Sequence, residues 1–276
     1  MDSEWRAPWG VGGLQDISTF THDELASGRG RDHLEALLRH GVFRVVESPT
    51  STTQVVRLST SLALSGVAEL HFGSLRDVRV FGRSPGSEIP PDPGLELGTD
   101  LSFRHQPPTV VAIQCLRRNG DGGSLLLSDG LSVADALRRT EPAVISGLEA
   151  CRVLHEERGS RWHFREIRPI VQTGSSGQAV IYLGREKRLA VASDGDMSQL
   201  AVTRFKETAR RSEFCVNVDF RPGDMMFLDN TRILHGRSPI EGQAKLLLHW
   251  QKCYLQLDDF AAVYRRWTEP ARTEIR

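Results

Sequence analysis

The chain has 276 residues, 39% of them hydrophobic and 25% charged, the make-up of an ordinary globular protein. Its 35 Lys and Arg balance 35 Asp and Glu, which gives no electrostatic reason to expect a nucleic acid or an acidic membrane as partner. The four cysteines, Cys115, Cys151, Cys215 and Cys253, form no CxxC pair and no small disulfide framework, so reduced thiols in a cytoplasmic protein are expected.

Asp23 to His40 reads as a helix: Leu34, Leu37 and Leu38 fall at helical spacing, Thr21 or Asp23 can cap the start, and Gly41 stops it. Val42 to Val46 is a strand, and Thr53 to Ser65 a second helix. Ser84 to Gly94, rich in Pro, Gly and Ser, is a loop. Ser132 to Cys151 is helical with a break near Pro142. Pro169 to Gln172 and Ala179 to Tyr182 flank a Gly- and Ser-rich turn and predict a hairpin. Met197 to Arg211 is a helix, and Cys215 to Phe220 alternates as a strand. With no repeat and no clear linker, residues 1–276 are expected to form a single domain. Many short strands with a few helices between them predict a mainly β fold, a double-stranded β-helix (jelly roll, cupin-like) decorated by helices. The first residues lack the basic start and apolar core of a signal peptide, and no apolar run approaches the roughly 20 residues that span a bilayer. Asp258 to Trp267 could form a docking helix, which leaves a homo-oligomer open.

The most informative segment is Arg221 to Arg237. Pro222-Gly223-Asp224 is turn chemistry, Met225 to Leu228 is an apolar run of strand length, Asp229-Asn230 breaks it, and Ile233-Leu234 restarts it before His235. An imidazole at the end of a rigid strand suits a metal ligand or a proton carrier; it can equally be a partly buried residue that only caps the strand.

This segment resembles the distal-histidine motif of the taurine dioxygenase and γ-butyrobetaine hydroxylase (TauD/TfdA-like) family of iron(II)- and 2-oxoglutarate-dependent oxygenases. Further pieces fit in the same order. Leu97 to Phe103, with Pro107-Pro108 and Val110 to Cys115, looks like the proximal metal-ligand region and its next strand. Gly122 to Gly130, running into Val133 to Leu137, looks like the glycine turn, strand and helix that follow. His249 to Tyr254 looks like the penultimate strand with its LQGCY-like signature. The resemblance covers about Gly41 to Asp259 and implies the jelly-roll fold.

The resemblance implies a metal held by a first histidine, the carboxylate of Asp100 and the distal His235, with the open face taking a co-substrate and oxygen. The first histidine's position holds Gly98, which has no ligand atom. The arginine that would grip 2-oxoglutarate falls at Leu248, and a hydroxyl position in the strand after the Gly-Gly turn falls at Leu125. Iron(II) and 2-oxoglutarate, the implied cofactors, are therefore both in question. Among possible replacements, His105 and His249 have the wrong strand parity, and Lys245 supplies a cation only if the register slips. Candidate substrate contacts are Arg237 and Arg232 beside His235, His71 in a segment near the implied site entrance, and Trp162 with His163 and Arg165 in a polar stretch before a strand. Structural ion pairs are the competing reading for the two arginines.

No nucleophile elbow, P-loop or dinucleotide fingerprint is present. Three functions remain open: an oxygenase-family enzyme with an atypical site acting on a small polar metabolite; a redox-neutral enzyme using Asp100 and His235 as acid and base for dehydration, cyclisation or isomerisation; or a non-catalytic binder of a metabolite or partner.

Overall fold

The structure, a computed structural model, describes residues 6, 8–9, 17–26, 32–64, 69–82, 92–158, 163–174, 178–185, 189–191 and 196–257, without the side chains of 61–64, 69–74, 189–191 and 196–197. The chain begins with β1 (Thr19–Thr21), α1 (His22–Ala26), α2 (Asp32–His40), β2 (Val42–Val46), α3 (Gln54–Leu64) and β3 (Glu69–Phe81). Next come β4 (Leu95–Gly98), β5 (Val110–Arg118), β6 (Asp121–Gly122), β7 (Leu125–Asp129), α4 (Gly130–Thr140) and α5 (Pro142–Ala150). Five short strands follow as β8 (Val153–Arg158), β9 (His163–Arg168), β10 (Val171–Thr173), β11 (Ala179–Ile181) and β12 (Leu189–Val191). The last part holds α6 (Asp196–Ala209), β13 (Cys215–Val218), β14 (Met225–Asp229), β15 (Ile233–Arg237), β16 (Ile240–Glu241) and β17 (Leu246–Gln256).

Two sheets carry the architecture: a six-stranded one in the order β1-β2-β14-β5-β17-β3 and a four-stranded one in the order β13-β7-β15-β4. Their inner faces share one apolar core, to which β5 gives Val111 and Ile113, β7 Leu125 and Leu127, β14 Met226 and Leu228, and β17 Leu248, Trp250 and Tyr254. The period-2 geometry of a strand sends alternate residues the other way. Met225 and Phe227 thus pack under α2 and α3 with Leu34, Leu38 and Leu58. Leu234 and Leu126 of the smaller sheet pack against Val133 of α4, Leu148 of α5 and Phe205 of α6. Helices cover both outer faces, and the expected mainly β jelly roll decorated by helices is the observed fold.

Local elements follow from local chemistry. Thr21 Oγ1 accepts from Glu24 N while Glu24 Oε2 accepts from Thr21 N, a reciprocal cap that starts α1. The expected helix from Asp23 to His40 is two helices, α1 and α2, separated by residues 27–31, which lie outside the described residues. Gly41, at φ +76°, ends α2 in a conformation that would strain any other residue. Pro142 stands in the first turn of α5, where its missing N–H costs nothing, so the break near it separates α4 from α5. The hairpin is β10 with β11, paired Val171 to Ile181. The expected loop at 84–94 and the expected docking helix at 258–267 fall largely or wholly outside the described residues. No helix among the described residues is long and apolar enough to cross a membrane.

Candidate active site

The turn at Pro222-Gly223 and the strand alternation of β14 and β15 place His235 on the inner face, directly across from Gly98 at the end of β4. Thr99 and Asp100 follow β4, and Leu101 then takes a φ of +57°, which turns the chain sharply behind Asp100. Asn230, in the β14–β15 connection, fixes that turn: its Oδ1 accepts from Asp100 N at 2.8 Å, and its Nδ2 donates to Asp100 O at 2.9 Å and to Pro108 O at 2.8 Å. All of these groups are buried, so Asn230→Ala is expected to lower stability by roughly 2–4 kcal/mol, because a backbone N–H and two carbonyls would lose their partner. A denaturant titration checks this, and a loss below the error of the fit would refute it.

The side chains of Asp100 and His235 meet, with Nε2 3.3 Å from Oδ2. Between them lies the ammonium of Lys252, 2.6 Å from Asp100 Oδ2 and 3.1 Å from His235 Nε2. Tyr254 donates its hydroxyl to the same carboxylate oxygen at 3.1 Å. The other oxygen, Oδ1, is held by Arg185 at 2.7 Å, and Arg185 also reaches the backbone oxygen of His235 at 3.4 Å. Asp100, His235, Lys252 and Tyr254 are buried, and Arg185 nearly so.

Burial shapes the protonation of this cluster. Desolvation alone would raise the Asp100 carboxyl, but Lys252, Arg185 and His235 together hold it well below the usual range. Burial pushes Lys252 down to about 8 against the pull of Asp100, so at neutral pH it remains an ammonium. Burial and the neighbouring Lys252 bring His235 down to about 4, which leaves its ring neutral. Burial and the Asp100 charge keep the Tyr254 phenol protonated. A neutral ring facing an ammonium through Nε2 accepts from it, which assigns the ring proton to Nδ1. Nδ1 is buried and has no partner among the described residues. The sum of Asp100, Lys252 and Arg185 is one positive charge in excess.

These residues do not fit an iron centre of the two-histidine, one-carboxylate kind. Gly98 offers no donor, and a Cβ built there would stand 2.7 Å from Leu183 O and 3.3 Å from Arg185 Cγ. Both oxygens of Asp100 already carry a cation, and His235 Nε2 already accepts from one. Among the described residues no three His, Cys, Asp or Glu gather into a group suited to a metal. Leu248 and Leu125 are fully buried and belong to the apolar core between the sheets, so neither supplies a polar group for a 2-oxoglutarate carboxylate.

The other residues singled out from sequence do not join the cluster. Arg232 gives both arms of its fork to Asp129, at 2.9 Å each, and a third bond to Arg39 O. Arg237 is held by Asp92 at 2.6 and 2.8 Å. Both are structural ion pairs, not free substrate contacts, because an internal carboxylate satisfies each fork. His105 is exposed beside Glu166, and His249 pairs with Asp77. Lys245 is exposed just before β17 and brings no cation inward. His163 pairs with Glu156 at the surface, and Arg165 is exposed. His71 lies within β3 with its side chain outside the described residues, and Trp162 is outside them altogether.

Lys252, Arg185 and Tyr254 were not among the sequence candidates. Lys252 had a visible signal, since it shares strand parity with Leu248, Trp250 and Tyr254 and so points inward from an apolar row. It also stands where the LQGCY-like signature has its glycine. Arg185 had none: it arrives on a segment after β11 whose position only the tertiary fold decides.

The family model described as taurine catabolism dioxygenase TauD, TfdA family, matches residues 8–254. A γ-butyrobetaine dioxygenase of Pseudomonas sp. (strain AK-1) is 28% identical over 227 residues, 80% of this chain and 56% of that protein. A dioxygenase, str8, of Strobilurus tenacellus is 24% identical, over 86% of this chain and 59% of its own. The chain thus spans a little over half the length of these curated relatives. Among solved structures, a putative α-ketoglutarate-dependent taurine dioxygenase from Burkholderia xenovorans superposes with a TM-score of 0.64 at 15% identity, covering 89% of this chain and 92% of that one. The PvcB protein of Pseudomonas aeruginosa gives 0.63 at 14% identity, with 92% of each chain covered. At such identities these two structures speak for the fold alone.

Proposed function

Because the chain belongs to the TauD/TfdA family, we propose that it is an enzyme acting on a small anionic metabolite, with proton transfer at the Asp100–His235–Lys252 centre as its chemistry. The observation that carries this reading is the position of Lys252, whose ammonium lies 2.6 Å from Asp100 Oδ2 and 3.1 Å from His235 Nε2 in the buried space between the sheets. Small molecules are also what the names of curated relatives indicate, γ-butyrobetaine for one and trimethyllysine for another.

Each residue has a part. Lys252 is an acid whose proton is held at about the operating pH, and His235 is a neutral base hydrogen-bonded to it. Asp100 orients the ammonium and balances one of the two cations. The surplus positive charge in a desolvated site favours a carboxylate or another small anion. Removal of a proton from carbon and its return elsewhere, as in isomerisation, dehydration or cyclisation, uses such an acid and base and needs no net oxidant.

A second reading rests on the Asp100–His235 pair itself, which keeps two of the three donors that the family resemblance implies at a spacing of 3.3 Å. It makes the protein an oxygenase dependent on iron(II) and 2-oxoglutarate, and it needs Lys252 to leave its place. A panel of small carboxylates screened by thermal shift, followed by product analysis of those that bind, separates the two. The proton-transfer reading expects turnover that continues under chelator and without oxygen and is lost in Lys252→Met. Turnover that consumes oxygen and stops with chelator supports the oxygenase instead.

A further inference from the structure

The geometry points to Lys252 as a resident internal cation that takes the place of a divalent metal between Asp100 and His235. Two ligand atoms each about 2.1 Å from a metal and at right angles around it are about 3 Å apart. Asp100 Oδ2 and His235 Nε2 are 3.3 Å apart, close to that spacing, and the atom within bonding distance of both is Lys252 Nζ. The ammonium donates where a metal would accept lone pairs, so the same two acceptors serve either cation and cannot serve both.

The rest of the site is built around this exchange. Gly98 faces His235 across the β4–β15 pair, where a side chain could complete a third ligand. The Leu183 carbonyl lies over it instead, pinned by Thr99 N at 2.8 Å, while Thr99 Oγ1 accepts from Leu183 N at 3.1 Å. That strapped segment leaves no room for a Cβ at residue 98 and delivers Arg185, two residues on, to Asp100 Oδ1. The missing donor at Gly98 and the second cation at Arg185 are therefore one packing arrangement. Lys252 and Arg185 together supply the two positive charges that a dication would bring. Removing the lysine should open the position to metal, whereas adding a histidine at residue 98 alone should only displace the Leu183 strap.

This inference concerns the same centre as the proposed function, but it needs no substrate, so the two fail separately. The test is anaerobic calorimetric titration with Fe(II), and with Co(II) as a visible probe, of the wild type, Lys252→Gly and Lys252→Gly/His235→Ala. Wild type should show no binding that depends on His235. Lys252→Gly should gain affinity by roughly tenfold or more, because the metal no longer has to displace a buried cation, and the double variant should lose that gain. One equivalent of metal bound by wild type and lost in His235→Ala overturns the inference, as does a folded Lys252→Gly that gains nothing. If circular dichroism shows Lys252→Gly unfolded, lysine-selective ¹⁵N NMR of the wild type decides. A slowly exchanging ammonium that shifts in His235→Ala supports the resident cation, and its absence overturns it.

Discussion

Asp100→Ala is expected to cost roughly 3–5 kcal/mol of stability, whereas Lys252→Met costs no more than about 1–2 kcal/mol. The asymmetry follows from what each change leaves behind. Without Asp100, the ammonium of Lys252 and the guanidinium of Arg185 stand buried side by side with no carboxylate, and the Tyr254 hydroxyl loses its acceptor. Two like charges in a desolvated space repel, and no carboxylate remains to offset that repulsion. Without Lys252, Asp100 still has Arg185 on one oxygen and Tyr254 on the other, and methionine refills the volume with an apolar stem. The double variant Asp100→Ala/Lys252→Met should therefore be more stable than Asp100→Ala alone, a non-additivity expected of groups in direct contact. Chemical denaturation of the four proteins measures it. Equal losses for the two single variants, or simple additivity in the double, would show that the cluster is not the coupled unit its geometry describes.

The fold was largely legible because strand alternation and turn chemistry are local. Met225 to Leu228 bury both faces in turn, Gly41 and Pro142 punctuate the helices, and the 225–237 segment carries His235 on a strand, although at the middle of β15 and not at the strand end its sequence suggests. Asp100 was legible only by resemblance. What stayed hidden is the partnership between distant residues. Asp129 and Asp92, which satisfy Arg232 and Arg237, lie 103 and 145 residues away in the chain, so no reading of β15 alone could tell a free arginine from a paired one. Lys252 shows a different failure. Parity alone turns it inward beside Trp250 and Tyr254, whereas Lys245, the cation that a register slip would bring in, is exposed. A lysine at an inward position of an apolar strand needs a carboxylate, and Asp100 supplies it.

Acid is expected to loosen the protein well above the pH at which its carboxylates titrate. His155, on β8, is fully buried and shares its Nδ1 with Ser102 Oγ at 2.9 Å; burial first, and then Arg168, bring it down to about 3 from an ordinary 6.5. The folded form therefore holds His155 neutral, while the unfolded chain takes up a proton once the pH falls below about 6.5. The stability that the neutral ring contributes is intact above 6.5 and is lost as the pH drops toward 3, since across that window the unfolded state binds the extra proton. Between pH 7 and pH 4 this amounts to roughly 3 kcal/mol. His235 acts in the same direction because its own value is depressed to about 4. His155→Gln can keep a hydrogen bond to Ser102 and cannot titrate, so its stability should fall less steeply with acid than that of the wild type. Denaturation midpoints at pH 7, 5.5 and 4 for both proteins provide the comparison. Parallel curves would mean that His155 takes up its proton in the folded state as readily as in the unfolded chain, and that burial and Arg168 do not hold it neutral.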